Sequence, residues 1–113
     1  MNPELVRRAV ENIVRNAVRY TPEGTSVSVA VESGSDNKGV VVKVTDHGPG
    51  VPEEELELIF KPFYRTEASR SRDTGGSGLG LAIAQKAILA HGGRIHAELP
   101  PGGGLLVVMW LPV

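Results

Sequence analysis

The sequence predicts an α+β domain, a two-layer α/β sandwich in which three helices cover one face of a mixed, mostly antiparallel sheet. Two observations support this prediction. Apolar residues recur at helical spacing near the amino terminus and again after residue 78, whereas other segments alternate with the period of strands. The predicted order is helix, hairpin, short helix, loop, helix and two strands, which differs from the strict βαβ alternation of a doubly wound fold.

The size and composition fit one domain, residues 1–113. Hydrophobic residues make up 41% of the chain, enough for a core. The net charge of -1 argues against a strongly basic nucleic-acid binder. The chain has no cysteine, which excludes disulfides and cysteine zinc sites. No apolar run approaches the ~20 residues of a membrane span, so we expect no membrane contact by this segment.

The first predicted helix begins at Asn2-Pro3, where Asn is the N-cap and Pro occupies the first helical position. It ends near Tyr20, before Thr21-Pro22. Its apolar residues share one arc of the helix: Val6, Ala9, Val10, Ile13, Val14 and Ala17.

The central segments follow from alternation and turn residues. Residues 26–32 alternate with period two, as a strand with one buried face does, and 40–45 form a second strand of the same hairpin. Residues 52–56 read as a short helix with acidic residues in its first turn. Residues 61–78 have no clean period and predict a long loop, which in compact domains is usually functional or disordered.

The last third begins with a helix predicted from Leu79 to His91, which Gly92-Gly93 ends. Residues 94–98 and 105–111 then predict two more strands.

The first candidate site is the pair Asn12 and Asn16, one helical turn apart at the border of the apolar arc. An amide oxygen is an acceptable ligand for Mg²⁺, which typically takes one or two protein ligands besides substrate phosphates. Arg19 and Tyr20, one turn further on, could reach the same anion. Hydrogen bonds from the two amides to nearby backbone or to neighbouring loops explain the same pattern, and the residues alone leave both interpretations open.

The second candidate is Asp46-His47-Gly48-Pro49-Gly50 at the end of the second strand. Glycines there allow a ligand to approach the backbone closely. The Asp46 carboxylate could accept a hydrogen bond from an amino group such as that of adenine. An ordinary Asx turn is an equally good interpretation. His47 is interpreted as an incidental loop residue.

Two further segments flank the long loop. Phe60, Phe63 and Tyr64 stand beside Lys61 and Arg65, and we interpret them as a hydrophobic anchor of the loop. The run at residues 76–81 has the pattern G-x-G-x-G leading into a helix, which makes a generic anion site. It matches neither the Rossmann G-x-G-x-x-G pattern nor a Walker A loop.

Four segments, in this order, resemble the N, G1, F and G2 boxes of the sensor histidine kinases: Asn12–Thr21, Asp46–Gly50, Ile59–Arg65 and Gly76–Leu81. The resemblance covers nearly the whole chain. Residues 63–67 and 110–112 look most like the CpxA-like envelope-stress sensor kinases.

The resemblance implies the Bergerat ATP-binding sandwich, with ATP and Mg²⁺ as cofactors and residues 61–78 as the ATP lid. It implies that Asn12 and Asn16 are the catalytic pair, with Asn16 as the Mg²⁺ ligand. Asp46 would bind the adenine amino group. The other implied nucleotide-binding residues are Arg19, Tyr20, Gly48, Gly50, Phe60, Arg65, Gly76, Ser77, Gly78, Leu79, Gly80 and Leu81.

The resemblance also implies an ATP-dependent protein histidine kinase of a two-component system. The γ-phosphoryl group would pass to a histidine of a dimerisation domain of the same protein, and then to a response regulator. None of the three histidines here lies in the His-Glu-Leu-Arg-like motif of that domain, so we expect a catalytic fragment that does not phosphorylate itself. The full-length protein is expected to be a homodimeric inner-membrane sensor with this domain in the cytoplasm.

One departure concerns residues 105–107, which are Leu-Leu-Val where many family members carry Thr-Thr-Phe. No hydroxyl group from these positions is therefore expected in the adenine pocket. Two alternatives remain: a serine kinase of the anti-sigma-factor type, and a nucleotide-binding interaction module without transfer activity. The long lid favours the sensor kinase over the first, and the set Asn12, Asn16 and Asp46 argues against the second.

Overall fold

The computed structural model describes residues 2–65 and 79–112. Within them the chain forms two α-helices and one four-stranded sheet: α1 (Pro3–Tyr20), β1 (Ser28–Ser33), β2 (Val40–Thr45), α2 (Gly80–Ala90), β3 (Arg94–Glu98) and β4 (Leu106–Leu111). The strand order is β1-β2-β4-β3. The α+β class and the sheet are confirmed. All three pairings are antiparallel, in agreement with the mostly antiparallel sheet that the sequence predicted.

Helix α1 begins and ends where its capping residues predict. The Asn2 side chain accepts hydrogen bonds from the backbone N–H groups of Glu4 and Leu5 at 3.1 and 3.3 Å, which satisfies two of the unpaired donors of the first turn. The helix stops at Thr21, whose backbone is extended as expected for the residue before a proline.

The core lies between the two helices and the inward face of the sheet. Helix α1 contributes Ala9, Ile13 and Ala17, and α2 contributes Ala84 and Ile88. The inward-facing strand residues are Val42, Val44, Val107, Met109 and Leu111, joined by Leu105, Ile59 and Phe60. Burial alternates along β4, because successive side chains point to opposite faces of the sheet.

Strand β1 differs from its prediction. All six of its residues are exposed, including Val31 at 68%, although the alternating pattern predicted one buried face. The reason is topological: β1 is an edge strand, and among the described residues its extensive contacts are with β2. Period-two alternation shows that successive side chains point to opposite faces of the sheet. Only the tertiary structure decides whether a helix covers one of those faces.

The short helix predicted at residues 52–56 is a 3-10 turn, Glu53–Glu55, and a second 3-10 turn, Leu58–Phe60, follows it. The second turn buries Ile59 and Phe60 against the core. No helix among the described residues is both long and apolar enough to cross a membrane.

Candidate functional site

The site begins with Asp46, which directly follows β2 and is only 3% exposed. Its Oδ1 accepts hydrogen bonds from the backbone N–H groups of Gly48 at 2.9 Å and Leu105 at 3.0 Å. Its own N–H donates to the Leu105 carbonyl at 2.9 Å. One carboxylate oxygen therefore ties the end of β2 to the start of β4, and the Asp46 side chain is held in a single position.

The second oxygen of this carboxylate, Oδ2, has no hydrogen-bond partner among the described residues. Buried polar atoms in proteins nearly always have a partner, because desolvation without one is costly. An acceptor held in place and left without a donor is able to accept a hydrogen bond from a ligand.

Close backbone packing around Asp46 requires glycine at three positions. A Cβ on Gly104, whose φ is +83°, would overlap the Asp46 carbonyl oxygen and lie 3.1 Å from Oδ1. A Cβ on Gly48 would lie 2.6 Å from the Tyr20 carbonyl oxygen, and one on Gly50 would lie 2.9 Å from that of Gly104. The Asp46 loop is thus packed between the loop before β4 and the end of α1.

The α1 side of the site carries Asn12 and Asn16. Both are half-buried, as their place at the border of the apolar arc predicts. No side-chain hydrogen bond of either amide is found among the described residues. Tyr20 contacts Gly48. Because an α-helix rises about 1.5 Å per residue, Asn16 lies about 6 Å along α1 from that contact.

The start of α2 follows the long loop in the sequence. Leu79 is its N-cap residue and provides no side-chain cap, and no other side chain among the described residues satisfies the first backbone N–H groups there. A Cβ on Gly80 would meet nothing within 4 Å. Leu81 packs against the core, which leaves its backbone as the group available to a ligand. Gly76, Ser77 and Gly78 lie outside the described residues.

The Phe-rich segment divides into a buried part and an exposed part. Phe60 lies in the core, which agrees with the anchor interpretation for this residue but not for Phe63. Phe63 is 71% exposed and adopts a positive φ of 64°, an uncommon conformation for a bulky residue. The Tyr64 hydroxyl donates to Glu55, and Arg65 is half-buried. Any contact of Phe60 or Arg65 with a nucleotide stays a prediction.

The sequence of this chain matches the family model for histidine kinase-, DNA gyrase B- and HSP90-like ATPases over residues 1–113. The chain belongs to this ATPase family. The resemblance inferred from the four boxes is therefore confirmed at the level of the family.

Relatives of this ATPase domain include sensor histidine kinases. It is 50% identical over 112 residues to the sensor histidine kinase CpxA of Escherichia coli K12, covering 99% of the chain and 24% of CpxA. The domain thus spans about a quarter of the length of that relative. The expected likeness to the CpxA-like kinases is confirmed.

Solved structures agree with the fold. The mycobacterial sensor histidine kinase MprB superimposes with a TM-score of 0.84 at 35% identity, over 93% of this chain and 70% of that one. Full-length ShkA in complex with AMPPNP superimposes with a TM-score of 0.76 at 28% identity, over 96% of this chain and 22% of that one.

Sequence reasoning missed several residues that pack around Asp46 in the candidate site. His47 was interpreted as an incidental loop residue, yet its N–H donates to Thr21 Oγ1 at 3.2 Å and its ring Nδ1 lies 2.5 Å from the Ser26 carbonyl. Gly104 and Leu105 contact Asp46 although they lie 58 and 59 residues further along the chain. The sequence signal for Gly104 was the run of three glycines before β4. Nothing in the sequence pairs His47 with Ser26.

Proposed function

We propose that this ATPase domain binds Mg-ATP between the end of β2 and the second half of α1. We further propose that, as the catalytic part of a sensor kinase, it donates the γ-phosphoryl group to a histidine of a separate dimerisation domain. The single observation that carries the nucleotide proposal is the buried Asp46 carboxylate, with Oδ1 engaged by backbone N–H groups and Oδ2 left as an acceptor.

An adenine base matches this acceptor. Its exocyclic amino group is a neutral donor, which suits a carboxylate held in place in a nearly water-free position. Glycines at positions 48, 50 and 104 keep the neighbouring backbone close and free of side chains. The AMPPNP complex of the similar ShkA structure supports an adenine nucleotide as the ligand.

The phosphates would extend from this position along α1 toward Asn16 and Asn12. Both amide oxygens are hard ligands that Mg²⁺ accepts. No group of three His, Cys, Asp or Glu side chains that could hold a metal ion occurs in the described part of the chain. One amide oxygen together with water and phosphate oxygens fits a Mg²⁺ ion, which typically takes only one or two protein ligands. Bound there, the ion would neutralise phosphate charge.

Arg19 and the start of α2 would complete the phosphate site. Arg19 is exposed one turn beyond Asn16, and backbone N–H groups at a helix start bind anions. Phosphoryl transfer depends mostly on positioning and electrostatic stabilisation, which this set of groups supplies.

The acceptor of the phosphoryl group is proposed to lie outside this chain. Nδ1 of His47 contacts the Ser26 carbonyl, His91 contacts both Ala87 and Asn2, and His96 pairs with Glu98. The proposed partners are the dimerisation domain of the same protein and a response regulator. The proposed setting is a homodimeric inner-membrane sensor with this domain in the cytoplasm.

Isothermal titration calorimetry with Mg-ADP tests the nucleotide proposal. Asp46→Asn replaces one carboxylate oxygen by an amide donor, so we expect at least about a tenfold loss of affinity, as for an unpaired buried polar group. Asp36→Asn is the matched control, because Asp36 is exposed in the β1–β2 turn at a φ of 56° that Asn tolerates. A wild-type protein that gives no binding heat and no thermal shift with Mg-ADP would refute the proposal.

A further inference from the structure

We propose that His47 is a positioning residue for nucleotide recognition, which locks the Asp46 loop to the segment that links α1 to β1. The inference rests on the proposed function, because it concerns the same carboxylate. Its new content is that recognition of the base depends on a side chain that does not touch the base.

The register of the sheet shows why such a lock is needed. In the antiparallel ladder of β1 and β2 the last pair at the open end of the hairpin is Ser28 with Thr45. Asp46 and His47 therefore lie beyond the last backbone pairing with β1. Chain segments beyond the end of a ladder are the ones that open most easily, so Asp46 would move unless other contacts held its loop.

Beyond the last β1–β2 pair, two hydrogen bonds of His47 hold the Asp46 loop in place of further backbone pairing with β1. The backbone N–H donates to Thr21 Oγ1 at 3.2 Å, directly after the last residue of α1. The ring reaches the Ser26 carbonyl, 2.5 Å from Nδ1. Because a carbonyl oxygen can only accept, Nδ1 must carry the proton and act as the donor.

The segment that receives these bonds is itself ordered by local contacts. Thr25 donates from its backbone N–H to the Pro22 carbonyl at 3.2 Å and from its hydroxyl to the same oxygen at 2.6 Å. His47 therefore ties Asp46 to a fixed turn. Leu105 holds Asp46 from the opposite side, through β4.

The contacts of the Asp46 loop therefore have two separate roles. Leu105 and Gly48 orient Oδ1 of Asp46, and His47 fixes the distance between Asp46 and the end of α1. That distance sets the span between the acceptor for the base and the amides proposed for the metal. A loosened loop would weaken recognition of the amino group of the base while leaving the phosphate end of the site intact.

The test compares His47→Ala with His47→Asn. The Asn amide nitrogen can occupy nearly the position of imidazole Nδ1 and donate to the Ser26 carbonyl, whereas Ala cannot. We expect Mg-ADP affinity to fall about three- to tenfold in His47→Ala, on the scale of one hydrogen bond, and to be largely restored in His47→Asn. The melting temperature of both variants should stay within about 4 °C of the wild type, since His47 is exposed and a surface substitution changes stability by no more than about 0.5 kcal/mol.

A second ligand separates positioning from general structural support. Purine riboside diphosphate lacks the amino group, so its affinity should be the same in the wild type and in His47→Ala. The control variant is His96→Ala, an exposed histidine on β3 that pairs with Glu98 and lies away from the loop. It should bind both ligands as the wild type does.

Three outcomes would overturn the inference: unchanged Mg-ADP affinity in His47→Ala, failure of Asn to restore it, or an equal loss of affinity for both ligands. If Asp46→Asn loses affinity and His47→Ala does not, the inference fails and the proposed function stands. If the wild type binds neither ligand, both fail together.

Discussion

Replacing glycines in the run at residues 102–104 tests how tightly the backbone packs around Asp46. Gly102 and Gly103 have open space where a Cβ would stand, whereas a Cβ on Gly104 would overlap the Asp46 carbonyl oxygen. Gly103 and Gly104 share positive φ values of 88° and 83°. The three adjacent positions therefore separate the cost of the backbone conformation from the cost of the steric overlap.

The expected free energies of unfolding follow from these differences. Gly102→Ala should change stability by no more than about 0.5 kcal/mol. Gly103→Ala places an L side chain in the left-handed region and should cost about 1–2 kcal/mol. Gly104→Ala pays the same cost plus overpacking of about 1–3 kcal/mol, so its total should be about 2–5 kcal/mol.

Urea unfolding followed by fluorescence of Trp110, the single tryptophan of the chain, measures these values. The same proteins can be titrated with Mg-ADP, and Gly104→Ala should also bind more weakly because its Cβ would displace Asp46. Equal destabilisation by Gly103→Ala and Gly104→Ala would show that the close contact with Asp46 does not exist, and would refute the packing on which the site is built.

Three further predictions concern the metal, the core and the transfer step. Asn16→Asp should change the Mg²⁺ dependence of ADP binding, because a carboxylate binds the ion more strongly but repels phosphates in its absence; a Mg²⁺ titration identical to that of the wild type would exclude Asn16 as a ligand. Ile88→Ala should cost about 2–5 kcal/mol in urea unfolding, because Ile88 is fully buried, whereas Ile83→Ala on the exposed side of the same helix should cost clearly less; equal costs would contradict the orientation of α2. The chain incubated alone with radiolabelled ATP should acquire no phosphohistidine, and acid-labile label in this protein would show that the acceptor lies within it.

Local signals predicted most of the elements well. The Asn2-Pro3 cap, the end of α1 before Pro22 and the strand at 40–45 all agree with the structure, because caps, prolines and apolar runs act within a few residues. Tertiary contacts decided the rest. The sequence pattern of β1 predicts a half-buried strand, whereas the structure shows an exposed edge strand. The helix predicted at 52–56 is a 3-10 turn, and a second 3-10 turn follows it.

For the site, the sequence by itself determined the kinds of groups and their order along the chain. The amide pair at helical spacing, the aspartate at a strand end and the glycine runs can all be identified from the sequence, because it gives residue types and their spacing directly. Only the tertiary structure decided that one oxygen of Asp46 is engaged by Leu105 and the other is not, and that His47 is bound to Thr21 and Ser26. These contacts join residues that are separated by 21 to 59 positions in the chain. Patterns of neighbouring residues carry no information about contacts over such separations.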